Sequence, residues 1–275
     1  MQLRKKYPGS KRRTNRCGSS PRVWHELFDW FDSRVGVQLV KTEKRLLDEI
    51  LPDLFGYYLV ALAHPLQMDK FTASRVSRQM VMNICAEDYL PPLEPSGFQG
   101  EVHQLPLQTD TVDVLVLPHI LEFSSQPHEV LRETERVLIA EGHVVILGFN
   151  PFSFWMLWRL ALGWRKMVPW CGTFRSVNRV RDWLSLLGFD LLETHYYFFR
   201  PPLQHSGLLR KLGFLEKLGQ RLWPIFGGGY AIVAKKRVVT LTPIRPRWST
   251  RKRIVATGLV EPMKPHHKEN YEQDR

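Results

Sequence analysis

Cysteine is scarce in this chain. Cys17, Cys85 and Cys171 are the only three among 275 residues, too few and too scattered for a disulfide framework or a zinc site. A reducing, cytoplasmic setting is the expectation, with no metal. Long apolar runs are missing too: the best, Phe152 to Trp164, carries Arg159 inside it and falls short of the roughly 20 residues that span a bilayer. The basic N-terminus has no apolar segment behind it, so it does not read as a secretory signal. No H-E-x-x-H, C-x-x-C or Walker A pattern occurs, and Gly227-Gly228-Gly229 has no helix behind it, which makes it a turn rather than a phosphate loop. Acidic residues are absent from residues 1–22, which carry a net charge of +8.

The charge that is present sits at the ends. The whole chain is +12, residues 235–275 contribute +7, and residues 23–234 are −3. The basicity therefore describes the tails and not the core. Such tails suit nucleic acid or anionic lipid, or they serve only as solubilising ends. Apolar residues at 44% and charged residues at 24% indicate a packed core between them.

Residues 1–22 read as a disordered arm, 23–56 as a helical cap, 57–240 as one α/β domain, and 241–275 as an extended basic tail. In the cap, Leu39, Leu46, Leu47 and Ile50 recur at helical spacing while Lys41, Glu43, Lys44, Asp48 and Glu49 fill the other positions. Pro52 closes that helix. Strands are predicted at 57–62, 79–84, 98–103, 112–118, 143–149, 189–199 and 229–236, and a helix at 206–222. Between them, 126–138 begins with Pro127 and exits at Gly142, and Ser176 caps a helix that Gly188 stops. Strand and helix alternate, which is the signature of a doubly wound sheet. Such a sheet binds ligands beyond the carboxyl ends of its strands, where the strand order reverses.

The stretch from Gly100 to Asn150 carries the most specific text. Glu101, Leu105-Pro106-Leu107, Thr111-Val112-Asp113, His119, Leu131-Arg132-Glu133 with Arg136-Val137-Leu138, and Ala140-Glu141-Gly142 follow one another there. In this order and spacing the chain resembles the class I S-adenosylmethionine-dependent methyltransferases, in the type 11 subset related to quinone C-methyltransferases. Gly148-Phe149-Asn150-Pro151, Arg181 to Phe189, Tyr197 to Gln204 and Leu241 to Trp248 resemble a proteobacterial branch of that superfamily. The resemblance implies a Rossmann-like seven-stranded methyltransferase sheet with a helical N-terminal cap. It implies S-adenosylmethionine as cofactor and an unidentified methyl acceptor.

By the same resemblance, Glu101 accepts from the adenine amino group and Val102 packs beside the ring. Ala61, Leu62 and Ala63 form the first turn, and Leu117 and Pro118 lie beside the methionine part. Two departures stand out. The turn after the first strand, Leu59 to Pro65, has no glycine where the family has a Gly-x-Gly-x-Gly loop. The acid expected at the end of the second strand is missing around Asn83 and Cys85. His119 reads either as a base for the acceptor or as a pocket wall. His195, Tyr196 and Tyr197 read as packing, Asn150-Pro151 is discounted as a methylation motif, and Cys171 has no evident partner. Phe152 to Trp170 reads as a helix over the substrate mouth that lies on a membrane surface, or as a cap helix buried on the sheet. The alternative function is a cofactor-free relative that binds nucleic acid or an anionic membrane through its tails, and the corresponding second location is peripheral, at the membrane.

Overall fold

The computed structural model describes residues 21–62, 71, 73–84, 97–156, 160, 168–200 and 223–238. The basic arm up to residue 20, the tail from 239, the predicted helix at 206–222 and most of 157–167 lie outside these. The chain divides into the compact unit Met1–Val238 and a second unit, Val239–Arg275.

The cap is two helices, not one. Helix α1 (Pro21–Phe31) ends before Asp32, and α2 (Arg34–Ile50) starts afresh because Ser33 caps it, its hydroxyl accepting from the amide of Gly36 at 3.1 Å. Leu39, Leu46, Leu47 and Ile50 form the buried stripe of α2.

Seven strands follow: β1 (Tyr58–Leu62), β2 (Arg78–Asn83), β3 (Gly97–Gln99), β4 (Val112–Pro118), β5 (Leu138–Phe149), β6 (Phe189–Tyr197) and β7 (Gly229–Lys236). Their order in the sheet is β3-β2-β1-β4-β5-β7-β6, with β7 antiparallel to both neighbours and the other adjacent pairs parallel. The central strands are wholly buried along Leu59–Leu62 and Val114–Leu117, as expected of a parallel sheet covered on both faces. The interruption in β4 has its own task. The Asp113 carboxylate accepts from the amides of Tyr57 (3.0 Å) and Tyr58 (2.9 Å), which fastens the start of β1 against β4.

Helix α3 (Ile120–Phe123) is one turn at the exit of β4, and α4 (Pro127–Val137) buries Val130, Leu131, Thr134 and Val137. Helix α5 (Val177–Leu186) is capped by Ser176, buries Val180, Trp183 and Leu184, and is followed by Gly188 at φ 80°, a backbone state that suits glycine.

Two local expectations are corrected. The helix exit placed at Gly142 falls earlier, because β5 begins at Leu138. The register jumps between Val112↔Leu138 and Val114↔His143, so residues after Leu138 loop out with Glu141 at φ 64°. That bulge presents Glu141 to Lys235 and Arg237, at 2.7 and 2.8 Å. The third strand is also shorter than 98–103, because the chain turns at Glu101–Gln104 in an isolated bridge. Among the described residues no helix is long and apolar enough to cross a membrane.

Candidate active site

Strand order reverses between β1 and β4, since β2 and β3 lie to one side and β5 to the other. The carboxyl ends of the parallel strands meet there, at Leu62, Asn83, Gln99, Pro118 and Phe149. The expected residues divide into two groups along this edge. Ala61 and Leu62 close β1, and Ala61 pairs with Val116 of β4, just ahead of Leu117, Pro118 and His119. These five are fully buried together. Glu101 and Val102 lie beyond β3, with Glu101 exposed and Val102 buried. Ala63 is outside the described residues, as is the rest of the glycine-free turn. Asn83, where an acid was expected, is wholly buried at the end of β2, and its carbonyl accepts from the amide of Gly100 at 3.1 Å.

His119 is the centre of a charged cluster inside the protein. Its backbone is left-handed, φ 54° and ψ 26°, which histidine tolerates better than most residues. The turn aims the ring back under α2. There Nε2 lies 2.7 Å from Oε1 of Glu43, and Nδ1 lies 3.7 Å from Oε1 of Glu122. Both carboxylates are as buried as the imidazole. Glu122 also accepts from the Phe149 amide at 2.6 Å, and the Tyr197 hydroxyl donates to Glu43 at 3.3 Å. Phe149 stacks on the imidazole at 4.1 Å between centroids, with Phe31 at 5.6 Å on another side. Trp155 and Phe174 stack in turn on Phe149.

The electrostatics follow from this enclosure. Burial pulls the His119 pKa down, but the two neighbouring glutamates outweigh it and raise it from 6.5 to about 9. The ring is therefore an imidazolium at neutral pH and has no lone pair to offer an incoming nucleophile. Tyr197 and Tyr230 are pushed well above the ordinary phenol value, by burial first and by the carboxylates next. Gly148 makes room for this packing. A Cβ there would lie 2.5 Å from the Tyr230 ring and 2.9 Å from the Glu122 carboxylate.

Neighbouring loops are held rigidly at the same edge. The Asn150 side chain, buried just past β5, donates to the carbonyls of Ile225 (2.6 Å) and Gly227 (2.9 Å) and accepts from the amide of Phe152 (3.0 Å). Asn150 thus joins two loops. Tyr197 is buried as expected, whereas His195 is half-exposed and paired with Glu193 at 2.8 Å. Cys171, read as unpartnered, is disulfide-bonded.

Glu43 is the residue that sequence reasoning missed, because it was grouped with the polar positions of its helix. It stands four residues after Leu39 and three and four before Leu46 and Leu47, at the middle of the apolar stripe. A carboxylate in that place is the signal of a buried partner. His103 was missed too. Both of its ring nitrogens are buried without a hydrogen-bond partner among the described residues, in the turn that also holds Glu101 and Val102.

A seven-stranded sheet in this order, with one antiparallel strand next to its edge and a site at the β1/β4 reversal, defines the class I methyltransferase architecture. Residues 55–146 match the model of a methyltransferase domain. The Escherichia coli K12 protein YafS, described as uncharacterized, is 33% identical over 213 residues, covering 78% of this chain and 82% of that one. A demethylmenaquinone methyltransferase of Chlamydia pneumoniae is 30% identical over 129 residues, 46% of this chain and 53% of its own. In fold, the chain is similar to an S-adenosylmethionine-dependent methyltransferase from Thermotoga maritima (TM-score 0.55, 16% identity, 79% of this chain and 97% of that one). It is also similar to one from Mesorhizobium loti (TM-score 0.50, 13% identity, 70% and 96%). The chain belongs to the class I S-adenosylmethionine-dependent methyltransferase superfamily.

Proposed function

We propose that this chain transfers a methyl group from S-adenosylmethionine to an unidentified acceptor at the carboxyl edge of β1 and β4. The observation that carries this reading is the meeting, at the reversal of strand order, of Ala61, Leu62, Leu117 and Pro118, with Glu101 and Val102 two strands away. The residues fit an adenosyl group at its base end. Glu101 offers an exposed acceptor, Val102 an apolar wall, and His103 two ring nitrogens that have no hydrogen-bond partner among the described residues. The buried strand ends supply a dry floor, and Asn83 stands in neutral form where an acid would meet a ribose.

When bound, the cofactor supplies an electrophilic methyl group on a sulfonium. The chain's own part is positioning and exclusion of water. In this reading Leu62, Leu117 and Pro118 form the apolar wall, and Glu101 fixes the base. His119 acts as a positioning residue: it keeps its proton between Glu43 and Glu122 and sets the backbone where β4 ends. Phe31 and Phe149 pack on its ring and Trp155 on Phe149, which keeps water from this part of the edge.

The test is isothermal titration of the full chain with S-adenosylhomocysteine. Micromolar binding is expected, and Glu101→Ala should weaken it about tenfold, the loss of one hydrogen bond to a charged group, with unfolding unchanged. Absence of binding by folded protein refutes the reading.

A further inference from the structure

Two loops at the carboxyl end of β5 carry apolar side chains into solvent. Residues 150–156 follow β5, and residues 223–228 precede β7. Asn150 ties them together: its side chain holds the Ile225 and Gly227 carbonyls, and its amide donates to the Gly228 carbonyl at 3.0 Å. The first loop alternates. Ser153 and Trp155 are buried and pinned, the hydroxyl of Ser153 to the Asn150 carbonyl at 2.7 Å and the indole of Trp155 to the Arg200 carbonyl at 3.0 Å. Phe152 and Phe154, set between them, are 60% and 54% exposed. In the second loop Trp223, Ile225 and Phe226 are 55%, 56% and 48% exposed, while Gly227 and Gly228 are buried. Five large apolar side chains on two fastened loops make a patch, which marks an interaction surface where scattered single residues do not.

The charge around the patch selects the partner. Residues 150–156 and 223–228 hold no charged side chain. Residues 157–167, which leave the first loop, contain Arg159, Arg165 and Lys166 and no acid. Residues 201–222, which enter the second, contain Arg210, Lys211, Lys217 and Arg221 against Glu216. Connectivity alone keeps two of these cations close. With about 3.8 Å between consecutive Cα atoms, Arg221 lies within about 8 Å of Trp223, and Arg159 within about 12 Å of Met156. Glu141 and Asp190 are engaged elsewhere, with Lys235 and Arg237 at the far end of β7. Uncharged apolar tips flanked in the chain by cations match a bilayer with an anionic surface and a hydrocarbon interior. A second copy of this chain matches poorly, because a two-fold contact sets the cationic flanks against each other. A nucleic acid needs cations within the contact itself, and the tips have none.

We propose that Phe152, Phe154, Trp223, Ile225 and Phe226 enter the interfacial region of an anionic membrane, with Arg159 and Arg221 meeting the phosphates of its lipid headgroups. The contact is peripheral, uses neither basic tail and does not depend on methyl transfer.

The test is sedimentation of the full chain with vesicles of phosphatidylcholine, alone or with one quarter phosphatidylglycerol, at about 0.1 M and about 0.5 M salt. Preference for the anionic vesicles is expected, with part of the binding surviving the higher salt, where exposed charges are largely screened. Phe152→Ser combined with Phe226→Ser should weaken that surviving binding at least about tenfold, the loss expected from two rings that no longer leave water. Both rings are exposed, so the variant should fold, and thermal unfolding verifies this. If it fails to fold, Ile225→Asn decides the matter by a loss of a few fold. Equal binding by variant and native chain overturns the proposal and assigns the affinity to the basic tails. Equal binding to both vesicle types, or to neither, overturns it as well. So does a variant that keeps its affinity for vesicles but loses self-association or binding to a single-stranded oligonucleotide.

Discussion

Glu43→Gln removes one charge from the centre of the protein and keeps the shape of the side chain. In the native protein the His119 pKa stands at about 9 against 6.5 for an unperturbed imidazole, so the folded state binds the proton more tightly than the unfolded one. That difference contributes roughly 3 kcal/mol of stability. The sign follows from the direction of the shift. The contribution is complete below about pH 6.5 and is lost as pH rises through about 9. Removing one partner of a buried pair is independently expected to cost about 3–5 kcal/mol, so the two routes agree. Urea unfolding from pH 6 to 10 is the assay. The native protein should lose roughly 3 kcal/mol across this range, at up to about 1.4 kcal/mol per pH unit between the two pKa values. The variant should be less stable at pH 6, and its curve should be flatter than the native one, with Glu122 left as the only carboxylate of the two beside the imidazole. Parallel curves, or a native protein of constant stability from pH 6.5 to 9.5, would show that His119 does not hold its proton in this way.

Two further changes probe the packing around the same edge. Gly148→Ala places a methyl group 2.5 Å from the Tyr230 ring and 2.9 Å from Glu122, and should cost about 1–3 kcal/mol by overpacking, read as a lower urea midpoint. Asn150→Ala leaves the Ile225 and Gly227 carbonyls without their donor and should cost about 2 kcal/mol. It should also speed hydrogen exchange in residues 223–228 before the sheet is affected; uniform exchange across the protein would speak against a local clamp.

Much of the architecture could be read along the chain because the signals are local. Val112 to Pro118 and Gly229 to Lys236 are dense in β-forming residues and bounded by turns, and they form strands at those residues. Pro127 and Ser176 mark helix starts by the chemistry of the first turn, where unpaired amides need a cap or a proline. The split between α1 and α2 was equally local, in Ser33 and the amide of Gly36, and was obscured by apolar residues on both sides. The bulge after Leu138 was not legible, because it depends on how β5 registers against β4.

The candidate site divides in the same way. Motif text alone was enough to place Glu101, Val102, Leu117, Pro118 and His119 in order along the chain, since each belongs to a short segment with its own spacing. The state of His119 was beyond its reach. That state depends on Glu43, 76 residues earlier, on Glu122 and on Tyr197, brought into one dry space by the packing of α2 over the carboxyl edge. Local sequence specifies where the chain bends and which face is apolar, because those are nearest-neighbour properties. Charge, proton occupancy and access at the edge are fixed by groups distant in sequence, because Coulomb interactions and desolvation depend on separation in space.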